Sequence, residues 1–143
     1  MSPGVVAVWS RAGVHAARTG DDGLAAEVAA RVAAVGGFLD LAPVCRCVAD
    51  VAVRALSVLH EPPDAARGQV WVLDGQDTAP DRLFAVRLVT AAANRDDAMV
   101  TALVAALAEA SETERAQSLR SLITYAAGVH AQAAHYRTEG TES

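Results

Sequence analysis

The sequence predicts an all-α fold, a single-domain bundle of about five to six helices around a central antiparallel helix hairpin at residues 78–110. Three observations predict it. Apolar residues recur at three- and four-residue spacing between breakers along most of the chain, which is the periodicity of amphipathic helices. Hydrophobic residues make up 52% of the 143 positions while aromatics make up 4%, so the core is built from Ala, Val and Leu, a composition that suits close-packed helices better than a sheet sandwich. Two strongly apolar segments, from Leu83 to Ala93 and from about Ala98 to Ala110, meet across Asn94-Arg95-Asp96-Asp97, and a link that short makes them antiparallel neighbours.

In the first arm of the hairpin, Asp77 or Thr78 is the expected cap, with Pro80 in the first turn where a missing N–H costs little. Phe84, Leu88 and Ala91 form one apolar line, with Val86 and Val89 beside it. Arg87, Thr90 and Asn94 interrupt that surface on one narrow stripe, which reads either as a solvated edge or as a polar seam at a groove. The second arm is capped by Asp96 or Asp97 and carries Met99, Leu103, Ala106 and Ala110 on its apolar line, widened by Val100, Val104 and Leu107.

The elements before the hairpin follow the same logic. Ser2-Pro3 starts a helix with Val5, Val8, Trp9, Ala12 and Ala16 inward and Arg11, His15 and Arg18 outward, ended by Thr19-Gly20. A second, from about Gly23 to Val35, is capped by Asp21 or Asp22, turns Leu24, Val28, Val32 and Val35 inward, and stops at Gly36-Gly37. A third starts at Asp40, runs from about Leu41 to His60 with Pro43 in its first turn, and carries an Arg46, Asp50, Arg54 ladder on its outer face. Pro62-Pro63 ends it. Residues 69–73 read as a short extended piece, or as part of a short helix opened by Asp64 that includes Trp71. Asp40-Leu41-Ala42-Pro43 and Asp77-Thr78-Ala79-Pro80 look alike, a weak hint of a repeat.

After the hairpin, Ser111 and Glu114 form a capping box that opens the longest helix. Its inner face is Leu119, Leu122, Ile123, Ala126, Ala127, His130 and Ala133, with Leu122, Tyr125, Val129 and Tyr136 flanking. Gly128 either weakens the middle or admits a close neighbour. The domain is expected to span residues 1–137, with a disordered polar tail at 138–143.

Composition limits function. The formal net charge is −5, and residues 61–110 hold four Arg against eight acidic residues, which disfavours a nucleic-acid footprint through Arg11, Arg18, Arg46 and Arg54. All twelve basic residues are Arg, a usage that a GC-rich coding bias produces. No run is long and apolar enough for a membrane span, and Met1-Ser2-Pro3-Gly4 lacks the positive stretch of a secretory signal, so the cytoplasm is the expected location. Cys45 and Cys47, one residue apart on a helix, point about 160° away from each other, so neither a disulfide nor a shared metal is expected.

No phosphate loop, nucleophile elbow, zinc-ligand set or dinucleotide fingerprint is present, and His60-Glu61 lacks the second histidine of a zinc-protease helix. No catalytic residue, metal site or cofactor is assigned, and the reading leans away from an enzyme. The leading expectation is a protein-interaction or regulatory module that pairs with a protein partner or with itself as a homodimer, with Trp9, Trp71, Tyr125 and Tyr136 as interface anchors. The alternative is a small-molecule-binding domain, or a small enzyme, with a pocket between the central and C-terminal helices lined by Arg87, Thr90, Tyr125 and His130. His130 stands out as the one polar residue on an apolar line, a position that a core-edge histidine bonded to a carbonyl also explains.

Overall fold

The computed structural model describes residues 2–73 and 79–142, with side chains through Glu139. Six helices follow one another, α1 (Pro3–Thr19), α2 (Asp22–Val35), α3 (Phe38–Leu59), α4 (Pro80–Ala93), α5 (Asp97–Glu109) and α6 (Glu112–Glu142), with a 3₁₀ turn at Ala65–Arg67. Among the described residues there is no strand, and the chain is the all-α single-domain bundle that the apolar spacing predicts.

Side-chain caps set four of the starts. Ser2 Oγ accepts from the Val5 amide at 3.4 Å, Asp21 Oδ1 from Leu24 at 2.9 Å, Asp96 Oδ1 from Met99 at 3.1 Å and Ser111 Oγ from Glu114 at 3.2 Å. Each satisfies one of the amides that a helix leaves without an internal partner. The cap of α4 is Ala79, which offers no side-chain acceptor, and Asp77 and Thr78 lie outside the described residues. At the other ends, Gly20 and Gly36 adopt left-handed φ of 69° and 73° and close α1 and α2.

The third helix starts earlier than its charges suggest. Gly37 is its N-cap, Phe38 its first residue and Asp40 sits within the first turn, so Pro43 falls in the second turn instead of the first. Pro43 has no N–H to return to the Leu39 carbonyl, and Leu39 itself is 83% exposed. Pro80 by contrast is the first residue of α4, so the two Ala-Pro segments occupy different helical positions and do not mark a repeat.

The middle of the molecule is held by the two longest helices. α6 packs along α1, α2, α3 and α4, and α3 also packs against α1, α4 and α5. Leu41, Val44, Cys45 and Val48 of α3 and Leu119, Leu122 and Ile123 of α6 are fully buried, together with Val28 and Val32 of α2 and Leu88 and Val89 of α4. Burying a side chain of that size stabilises the fold by about 1.5–3 kcal/mol. The α4–α5 hairpin forms, linked through Arg95 in a left-handed conformation, φ 56°. Of its two arms α4 enters the core, while α5 buries Val100, Val104 and Leu107 and covers a flank of the bundle.

Two faces differ from the expected ones. On α1 the buried line is Val6, Ser10, Gly13 and Ala17, with Ala16 beside it, whereas Val5 and Val8 are exposed. Gly13 fixes this, because a Cβ there would stand 3.1 Å from Val48 Cγ2, so the glycine brings the α1 backbone against α3. On α2 the inward residues are Ala25, Val28, Ala29, Val32 and Ala33, with Val35 exposed. The last helix runs as α-helix to Glu142. His135 and Glu139 approach to 3.0 Å across its surface.

Candidate functional site

Between α4 and α6 there is a cleft of about 340 Å³ lined by Arg82, Ala85, Val86, Arg120, Ser121, Thr124 and Tyr125. It occupies the place expected for a pocket and contains Tyr125, half-buried, whose phenol burial pushes above its ordinary pKa. The other expected residues are elsewhere. Arg87 lines a separate cleft of about 510 Å³ where α4 meets α5 and α6, beside Phe84, Leu103 and Leu107. The Thr90 hydroxyl donates to the Val86 carbonyl of its own helix at 2.7 Å. His130 is half-buried and is not among the lining residues of either cleft. Arg82 and Arg87 are five residues apart, about 140° around α4, so they open onto different clefts, each of which α6 also lines. At the mouth of this cleft the Ser121 hydroxyl donates to the Asp81 carboxylate, tying the first turn of α4 to α6.

The expected interface anchors are distributed rather than gathered. Trp9, Trp71 and Tyr125 are half-buried against the core, and Tyr136 is 57% exposed near the end of α6. Trp71 is held by a device that periodicity does not reveal: Asn94 Oδ1 accepts from its amide at 2.6 Å and Asn94 Nδ2 donates to its carbonyl at 3.0 Å. Residues 71–73 are therefore neither helix nor strand, but a single stretch of backbone pinned by one carboxamide from the end of α4.

A second groove runs between α1 and α3. Two adjoining clefts of about 620 and 430 Å³ share Ser10, Arg11 and Cys47. The larger is walled by Pro3, Val6 and Ala7 of α1 and by Leu39, Asp40 and Pro43 of α3. The smaller continues past Val14 to His15 and Arg18. Its base holds the Ser10 hydroxyl, buried and without a hydrogen-bond partner among the described residues. Cys47 is exposed, whereas Cys45 is fully buried, and burial pushes its thiol up to about 12.

Charges elsewhere are mostly paired on the surface. Arg54 Nε meets Asp50 at 2.9 Å, and Arg46 reaches across to Asp97 at 3.5 Å and to the Thr101 hydroxyl at 3.5 Å. Those pairings neutralise two of the four arginines that a nucleic-acid face would need. Among the described residues no cluster of His, Cys, Asp and Glu has the arrangement of a metal site, and no helix is long and apolar enough to cross a membrane. Compared with known proteins, the chain matches no family model, no curated sequence and no solved structure.

Proposed function

We propose that the chain is a helical interaction module that acts in the cytoplasm by association, pairing with a second copy of itself through α5. The observation that carries this reading is the outer face of α5, where Ala98, Met99, Ala102, Ala105 and Ala106 are all exposed on a strongly apolar helix. Ala98, Ala102 and Ala105 follow the alternating four- and three-residue spacing of a helix seam, and side chains this small let two axes approach to about 8 Å. An antiparallel two-fold pairing sets the dipoles of the two α5 helices head to tail, which is the favourable arrangement for two close-packed helices.

Light scattering on the purified chain at micromolar and higher concentrations tests this, with a dimer mass expected. Ala102→Arg places a charge in the seam at a solvent-facing position where Arg is nearly as good a helix former as Ala. That variant is expected to be monomeric with unchanged helical circular dichroism. A wild-type monomer across the whole concentration range would remove the proposal.

A second reading, a small-molecule-binding domain, is supported by the α4–α6 cleft, where Arg82 and Arg120 stand on opposite walls with Tyr125 at the side. Such a cleft suits a small aromatic anion. Benzoate is the simplest probe: absence of any thermal shift in the wild type, or a shift that survives Arg120→Ala, would count against it.

A further inference from the structure

We propose that the α1–α3 groove is a binding site for an amphipathic monocarboxylate, an apolar chain that ends in one carboxylate. The larger cleft, about 620 Å³, falls within the ordinary size range of ligand pockets, and its walls are apolar from Pro3, Val6 and Ala7 to Leu39 and Pro43. Along α1 from Pro3 to Ser10 the helix rises roughly 10 Å, a length that a medium-chain acyl tail spans. Ser10 is 7% exposed and its Oγ has no hydrogen-bond partner among the described residues, an uncommon condition for a buried hydroxyl and one that a ligand oxygen relieves after a small rotation of the side chain. Arg11 stands beside it, where the two clefts join, and His15 and Arg18 extend the basic side beyond.

Charge orients the occupant. The basic groups lie at one end, so the head group belongs at Ser10 and Arg11, towards Arg18, and the tail runs between Pro3 and Leu39. Leu39, 83% exposed on the folded chain, then gains cover from the tail. The site lies on helices other than α5, so it stands or falls independently of self-association, and a monomeric chain leaves it intact.

Cys47 sits where the two clefts meet and supplies the readout. It is exposed while Cys45 is fully buried, so maleimide labels one thiol in the folded protein. Decanoate, below its micellar concentration, is expected to slow labelling of Cys47 saturably, whereas decanol and decylamine protect about tenfold less well at equal concentration. Arg11→Gln is expected to weaken decanoate protection by about tenfold, equivalent to about 1.4 kcal/mol. Ser10→Ala is expected to weaken it less, and Leu39→Glu, at an exposed position, to abolish it. Equal protection by all three ten-carbon probes, or decanoate protection untouched by Arg11→Gln and Leu39→Glu, would overturn the proposal. Protection by an acidic amphipathic peptide without protection by decanoate would overturn it in favour of a protein partner.

Discussion

The guanidinium of Arg115 donates from Nε to the carbonyl of Ala33 at 2.9 Å, joining the first turn of α6 to the last turn of α2. Its Nη1 donates to the carbonyl of Ala110, which caps the C-terminal end of α5. One positive charge thus meets the negative ends of two helix dipoles and satisfies a carbonyl at each. Gly36, in the left-handed turn after α2, lies so close that a Cβ there would stand 2.9 Å from Arg115 Nη2.

Removal of this clasp is expected to weaken the whole bundle. Arg115→Ala gives up hydrogen bonds from a charged donor and is expected to cost about 2 kcal/mol in urea unfolding. Gly20 and Gly36 share nearly the same φ, 69° and 73°, but Gly20 has open space where its Cβ would go. Gly20→Ala therefore measures backbone strain alone, about 1 kcal/mol. Gly36→Ala is expected to cost more than that in the wild type, and the excess is expected to vanish in the Arg115→Ala background. Equal costs for the two glycines in both backgrounds would show that the guanidinium does not press on Gly36.

Asn94 is expected to control the segment around Trp71 without controlling global stability. Both of its bonds go to the Trp71 backbone, each worth about 1 kcal/mol, and segments held by few contacts open locally. In a Trp9→Phe background, Asn94→Ala is expected to shift Trp71 emission to the red and speed its quenching by iodide, with little change in the unfolding midpoint. Asn94→Asp keeps the acceptor and loses the donor, and is expected to fall between. Emission identical in all three proteins would mean that the ring is held by its own packing.

Local rules made most of the helices legible and left the faces and clasps obscure. Ser2, Asp21, Asp96 and Ser111 cap helices where the residue types say they should, since capping needs only neighbours a few positions away. The face of α1 was not legible, because Gly13 has no hydropathy to count and its part in the packing depends on Val48, thirty-five positions further on. Pro43 misplaced the start of α3, since proline is at home in a first turn and Phe38 gave no signal that the helix had already begun. Tyr125 lines the α4–α6 cleft together with Arg82 and Arg120, and Arg87 does not. Which arginine enters that cleft depends on the rotation of α4 in the bundle, and an almost wholly apolar helix does not declare that rotation. Arg115 carried no sequence signal, since its carbonyl partner Ala33 lies eighty-two positions away.

Gly13 and Gly128, each within a helix, are expected to respond in opposite ways. Gly128 is exposed, within α6, with nothing within 4 Å of the position of a Cβ. It brings no neighbour close, and Gly128→Ala is expected to stabilise the protein by about 1 kcal/mol through helix propensity. At Gly13 the same propensity gain meets Val48 Cγ2 at 3.1 Å, and a larger side chain cannot be placed at all without moving α1 off α3. Gly13→Leu is expected to destabilise by about 1–3 kcal/mol or to prevent folding. Thermal unfolding compares them directly, and a higher midpoint for Gly13→Leu would show that α1 packs loosely.

Alkaline pH is expected to unfold the protein through Cys45. Its thiol is fully buried against Leu41, Val48 and their neighbours in the core, and burial pushes it from an ordinary 9.0 up to about 12, with Arg46 opposing weakly. Between those values the unfolded chain has lost a proton that the folded chain keeps, so stability falls as pH rises, by up to about 1.4 kcal/mol per pH unit for one group. Below pH 9 both states hold the proton and this contribution does not vary. Tyr125 is raised by burial as well and adds a loss in the same direction above its ordinary value of 10.0. Cys45→Ala removes a side chain from the core and is expected to lower stability at neutral pH, yet to flatten the decline between pH 9 and 10, where Tyr125 contributes little. An equally steep decline in Cys45→Ala would assign the alkaline loss to other groups and show that the Cys45 thiolate forms without unfolding.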